Sequence, residues 1–249
     1  METERIAKKS VGEIVAGNFG VAKLFETYGI DYCCHGETEL EVACAEKGLP
    51  LSEVIKAIEV QEQQASIPFA QWPSDLLIDY VLKIHHRNIR NNGTPLLELM
   101  EKVMSVHGDK YHNLTEVHSL FVESLEDLEM HLVKEEQVLF PYCLELFEAN
   151  ERGDLLEPMH CGTVLNPIGV MRMEHEAEGN RYELIGKLTN NYTVSDEACA
   201  SYKLLMHDLK QFMTALHEHI HIENNILFPD FVELEKKVVN FSEGGFCGH

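Results

Sequence analysis

Two stretches of this chain carry the same metal-binding phrase. His131-Leu-Val-Lys-Glu135-Glu-Gln-Val-Leu-Phe-Pro141 returns as His219-Ile-His-Ile-Glu223-Asn-Asn-Ile-Leu-Phe-Pro229, with His, Glu and the closing Leu-Phe-Pro in register. Four residues are about one turn of an α-helix, so each His and its Glu lie on one face. An imidazole and a carboxylate presented together from each of two helices suit iron, manganese or zinc.

Apolar periodicity sorts the histidines into inward and outward. His131 and Glu135 fall on a stripe of Phe121, Leu125, Leu128, Leu132, Val138, Leu139 and Tyr142, and His219 and Glu223 on one of Leu209, Phe212, Leu216, Ile220, Ile226 and Leu227. His85 shares its face with Ile78, Val81, Leu82 and Ile89, whereas His86 lines up with Asp79, Lys83 and Arg90 and is predicted to point outward. His175 aligns with Ile168, Met171 and Tyr182. His217 and His221 share a face with Lys210 and Thr214, which predicts solvent exposure. Six inward donors result: His85, His131, Glu135, His175, His219 and Glu223. Two facing carboxylates in an apolar interior cost several kcal/mol each against a total stability of about 5–15 kcal/mol, and bound cations would offset that cost.

The elements that must position these donors are helices. Segments 75–106, 114–149, 166–191 and 197–236 carry helical spacing with no competing strand alternation, which predicts an all-α fold built on an up-and-down four-helix bundle. Pro95 is expected to bend the first of them. Ahead of the bundle, residues 1–66 form a small helical domain, with helix-like stretches at Val11–Ala16, Val21–Tyr28, Glu37–Glu46 and Leu51–Gln64. Residues 67–73, with two prolines and the only tryptophan, read as a tether between domains, and Ser74 as the N-cap of the next helix. The bundle spans 74–239, and 240–249 is a loose tail.

Composition excludes several classes. A chain of 249 residues that is 45% hydrophobic can bury a sizeable core. A net charge of -22 disfavours nucleic acid and anionic membranes as partners. No apolar run reaches the roughly 20 residues of a membrane span, and the charged start lacks a signal segment, so a cytoplasmic location is expected. Seven cysteines, an odd number, suit reduced thiols or redox and metal chemistry better than a disulfide framework.

Cys33 and Cys34 are adjacent, between Asp31-Tyr32 and His35-Gly36. A bridge between neighbours strains its small ring, so the pair is read as two thiols able to take an iron, relay electrons or react with an outside thiol. Two idle, buried cysteines are the plainer alternative. Cys44, Cys143 and Cys199 fall in helical stretches and read as core residues, as do Met171, Met173, Met206 and Met213. Cys161 and Cys247 sit in loops beside His160 and His249, and His107, His112 and His118 read as surface groups.

These residues resemble a known family. Asp31-Tyr-Cys-Cys-His-Gly36, the His131-to-Pro141 phrase and Glu223-Asn-Asn-Ile-Leu-Phe-Pro229 are similar to the hemerythrin-like, di-iron, iron–sulfur cluster repair proteins of bacteria, over nearly the whole chain. The resemblance implies two non-haem iron ions bridged by oxide and carboxylates, with His85, His131, Glu135, His175, His219 and Glu223 as ligands. It further implies a role in restoring clusters damaged by oxidative or nitrosative stress, through iron donation or nitric oxide chemistry, with Cys33 and Cys34 in iron or electron transfer. Damaged iron–sulfur proteins, nitric oxide or oxygen, and a second copy in a homodimer are the implied partners. Nitric oxide reductase activity is one enzymatic option. A hemerythrin-type oxygen or iron binder and sensor is the non-catalytic alternative, and a zinc-stabilised interaction module is disfavoured because the ligands in the bundle are carboxylate-rich and thiol-free.

Overall fold

The computed structural model describes residues 2–61, 67–108, 110–159 and 162–240. His160, Cys161, Cys247 and His249 lie outside these residues. The small domain comprises α1 (Glu2–Ala7), α2 (Val11–Gly17), α3 (Ala22–Tyr28), α4 (Leu40–Glu46) and α5 (Leu51–Gln61). Ser10 starts α2 with a reciprocal capping box. Its hydroxyl accepts from the Glu13 amide at 3.2 Å and the Glu13 carboxylate accepts from the Ser10 amide at 3.1 Å. Gly29, at φ 67°, closes α3 in the left-handed conformation that turns the chain into the cysteine loop.

The first rod of the bundle runs through α6 (Ser74–Tyr80), a π-helical turn at Val81–His86 and α7 (Arg87–His107). The second comprises α8 (Leu114–Lys134), a π turn at Glu135–Leu139 and α9 (Phe140–Arg152), and the third is α10 (Leu165–Leu188). The fourth joins α11 (Ala200–Ile222), a π turn at Glu223–Leu227 and α12 (Phe228–Val238). Among the described residues the only β pairing is two isolated bridges, Ser10 with Glu39 and Leu156 with Val239. The sequence limits of all four rods are met within a few residues. Pro73 rather than Ser74 is the cap; Ser74 is the first helical residue and its hydroxyl bonds Asp230 across the bundle.

The repeated phrase is a backbone device as well as a ligand set. In each copy the Phe amide donates to the carbonyl of the phrase's Glu five residues back, Phe140 to Glu135 and Phe228 to Glu223. Proline then follows, supplying no N–H and colliding with the carbonyl four residues earlier in a regular helix. Widening the turn by one residue accommodates both defects. Pro95 lies inside α7, which continues through it, while the π turn of that rod falls upstream at the histidines.

The apolar interior forms two bodies. One joins the small domain to the far half of the bundle through residues such as Phe25, Phe121, Leu132 and Ile220. The other holds Leu77, Val81, Phe140, Met171, Phe228 and Phe231. On every rod the inward His and Glu residues fall between the two, so a polar layer crosses the bundle. The segment predicted as a tether is instead anchored. Phe69 is 1% exposed and meets Phe19, Trp72 and Tyr80 at ring distances of 5.2–5.6 Å. Burying that aromatic surface stabilises by about 2–3 kcal/mol and holds the small domain to the bundle.

Candidate metal centre

The polar layer brings five of the six expected donors together. Ligand-type atoms of His131, Glu135, His175, His219 and Glu223 all lie within 4.8 Å of one another. His131 Nε2 is 3.1 Å from Glu135 Oε1, His175 Nε2 is 3.2 Å and His219 Nε2 3.5 Å from Glu223 Oε2. His131 and His175 face each other Nε2 to Nε2 at 3.1 Å. Both carboxylates are 0% exposed.

The first rod departs from expectation. His86, predicted outward, is buried and sets its Nε2 3.3 Å from Glu135 Oε2. His85 is buried too, but turns aside: it bonds the Ala215 carbonyl and leaves its Nε2 3.6 Å from Glu218, which accepts a 3.0 Å bond from the Tyr80 hydroxyl. A constant 100° per residue cannot describe this stretch, because the π turn at Val81–His86 rotates the following positions out of phase. The pair Glu174-His175 on α10 shows the same arrangement, with the second residue facing the carboxylates.

Outer partners hold the rings. Nδ1 of His86 pairs with Glu136 at 2.8 Å, Nδ1 of His131 with Glu174 at 2.9 Å and Nδ1 of His175 with Asn224 at 3.0 Å. Each acceptor holds the Nδ1 proton and turns Nε2 toward the carboxylates, as metal-binding histidines require. Position 136 and position 224, one residue past the repeated Glu, therefore do the same work in both copies.

Inner atoms go unsatisfied. Both oxygens of Glu135 and Glu223, Nε2 of His86 and both ring nitrogens of His219 are buried without a hydrogen-bond partner. Burial followed by the Glu135 carboxylate pushes Glu223 well above the usual carboxylate range. Burial acts the same way on Glu135, yet the charge of His131, 3.1 Å away, outweighs it and holds that carboxyl well below the range. Burial opposes protonation of His131 as well, but Glu135 and Glu174 lift it to about 9. Burial and the positive charge of His131 lower His175 to about 4.

Two further histidines answer to the small domain. His221, predicted exposed, is buried because α2 and the cysteine loop cover that face of α11: its ring meets Tyr32 at 5.5 Å and Phe19 at 6.1 Å. His217 is half-buried and lines a cleft of roughly 640 Å³ between the domains, together with Cys33, Cys34, Gly179 and Tyr182. Asn224 donates from Nδ2 to the Cys33 carbonyl at 3.2 Å while its Oδ1 accepts from His175. Asn225 donates at 3.2 Å to the carbonyls of Tyr32 and Cys33. Where the first phrase has Glu136-Gln137 the second has Asn224-Asn225, and that difference is the sequence signal for which rod receives the small domain. Cys44 and Cys143 are core residues as expected, Cys199 is partly exposed with its sulfur capping α11, and Met173 is exposed rather than packed.

Residues 77–231 match the hemerythrin HHE cation binding domain, and residues 7–62 match ScdA_N, a domain of unknown function. The probable iron–sulfur cluster repair protein of Haemophilus influenzae is 34% identical over 227 residues, covering 90% of this chain and 96% of that protein. The chain belongs to the iron–sulfur cluster repair protein family. The repair protein YtfE of Yersinia pseudotuberculosis and that of Yersinia pestis, other members, are each 32% identical over 227 residues, with 89% and 95% coverage. Family membership thus spans both the small domain and the bundle.

Proposed function

We propose that this chain repairs damaged iron–sulfur clusters with a di-iron centre held by His86, His131, Glu135, His175, His219 and Glu223. The observation that carries the reading is the set of unpartnered buried donors: four carboxylate oxygens and several imidazole nitrogens converge in a layer that no protein hydrogen bond satisfies. Carboxylate and imidazole without thiolate suit iron better than a structural zinc. Glu135 and Glu223, each with two free oxygens, would be the carboxylate ligands, and His85, whose unpartnered Nε2 turns toward Glu218, is left out of the set. When bound, iron supplies a redox-active Lewis acid able to exchange small ligands such as nitric oxide or oxygen.

The chain's own residues do the rest. Glu136, Glu174 and Asn224 orient three imidazoles, and Phe140 and Phe228 stack on His86 and His175 at about 6.0 Å. A second opening of roughly 190 Å³ beside His131, Glu174 and His219 gives small molecules a way to the layer. Cys33, Cys34, Cys44, Cys143 and Cys199, unbridged among the described residues, suit a reducing, cytoplasmic setting. A damaged iron–sulfur protein is the substrate partner, and a homodimer is the assembly we expect.

The test is metal analysis followed by repair. Anaerobically isolated chain should hold about two irons and restore activity to a dehydratase whose cluster has been broken by nitric oxide or peroxide. Glu135→Ala should do neither. Two irons without any restoration would favour a hemerythrin-type binder or sensor.

A further inference from the structure

The cysteine loop carries donors that the bundle centre does not use. Asp31 Oδ1 accepts from the amides of Cys33 and Cys34, both at 3.0 Å, and lies 3.3 Å from the Cys33 sulfur. The two sulfurs are 3.8 Å apart. Asp31 Oδ2 pairs with His35 Nδ1 at 2.7 Å, which holds the carboxylate in place. Cys34 Sγ sits against α10, 3.4 Å from the His175 carbonyl, in space that exists because residue 179 is glycine: a Cβ there would come within 2.8 Å of the sulfur.

These separations fit one cation. A tetrahedral ion with metal–sulfur bonds of about 2.3 Å sets two thiolates about 3.8 Å apart, and a carboxylate oxygen bound at about 2.0 Å falls about 3.5 Å from each sulfur. The sulfur–sulfur separation and that of Asp31 Oδ1 from the Cys33 sulfur stand close to those distances, and the ligand atoms of all three residues lie within 4.8 Å of one another. Without the ion the Cys33 thiol donates to Asp31 Oδ1, so the carboxylate already faces the sulfur it would share a cation with. All three residues also line the interdomain cleft, so the fourth position opens onto space where a water or a thiol of another molecule can bind.

We propose that Asp31, Cys33 and Cys34 form a second cation site, separate from the bundle centre, that takes a thiophilic divalent ion such as zinc or ferrous iron. Binding exchanges waters of the hydrated ion for the three donors, and Cys33 and Cys34 each release a thiol proton to solvent. Two thiolates and one carboxylate then surround a dication, with no change in oxidation state.

The full-length chain with its bundle centre loaded is titrated anaerobically with cobalt(II), the spectroscopic stand-in for zinc. The bundle centre has no thiol ligand, so a thiolate-to-cobalt charge-transfer band in the near ultraviolet reports binding at cysteine, and the variants below assign it. The expected result is one additional equivalent with that band. Cys33→Ser and Cys34→Ser should remove it. Asp31→Asn, which keeps an oxygen acceptor for the two amides but not the charge, should weaken binding at least tenfold, and Cys44→Ser should change nothing. Absence of the band, or its survival in Cys33→Ser, overturns the proposal, as does a Cys33–Cys34 disulfide in anaerobically isolated protein. Iron content of the bundle, measured in the same samples, reports separately on the di-iron reading.

Discussion

Gly36→Ala should loosen the small domain from the bundle, and its cost follows from one contact. A Cβ on Gly36 would stand 2.1 Å from Asn225 Oδ1 and 2.8 Å from its Cγ. Reaching ordinary contact requires the Asn225 amide to withdraw by about 1 Å. That side chain is not free to move, because its Nδ2 bonds the Tyr32 and Cys33 carbonyls at 3.2 Å, and both bonds would stretch beyond useful length. Overpacking of this kind costs about 1–3 kcal/mol, while replacing glycine returns about 0.4–1 kcal/mol by restricting the unfolded chain. A net loss of about 1–2 kcal/mol is expected, or a fall of roughly 2–8 °C in Tm for a domain of this size. Thermal unfolding of the metal-loaded chain is measured for wild type, Gly36→Ala, Asn225→Ala and the double variant. Since the alanine at 225 removes the obstructing amide, Gly36→Ala should be neutral or slightly stabilising in that background. An equal loss in both backgrounds would refute the reasoning.

Three other outcomes follow from the metal layer. Glu223→Gln should abolish cation binding yet stabilise the cation-free chain: burial and Glu135 keep Glu223 protonated in the folded state after the unfolded carboxyl has ionised, a penalty that grows by about 1.4 kcal/mol per pH unit above the unfolded value. Urea midpoints in chelator near pH 8 and pH 5 check this, and a variant weaker than wild type at the higher pH refutes it. His86→Ala should lose at least one iron per chain whereas His85→Ala keeps both, read by metal analysis; the reverse pattern would restore His85 as the ligand. Because His131 is held at about 9 without a cation, loading the bundle near pH 7 should release protons, detectable with an indicator dye in weak buffer. Loading without proton release would contradict the imidazolium.

Much of this arrangement could be read from residue order. Helix limits were legible because Gly, Pro and the apolar stripe punctuate the chain, and His131, Glu135, His175, His219 and Glu223 were legible because each interrupts such a stripe. His86 was not, since periodicity assumes an unbroken α-helix and the π turn at Val81–His86 breaks it. His221 was missed for another reason: its face is outward with respect to the bundle but inward with respect to the small domain, and one helix's pattern carries no information about a second body docking on it. The anchoring of the 67–73 segment is hidden likewise, because its prolines signal irregular backbone and say nothing of what the Phe69 ring packs against.

The two bonds of Asn224 make the cysteine loop and the metal layer mutually audible. Any partner that tugs Cys33 away from α11 strips the amide of its acceptor, lets it swivel, and so releases the proton tautomer of His175 from its lock. The electron-donating strength of one imidazole is thereby tied to whether the loop is engaged, through a single side chain that binds nothing itself.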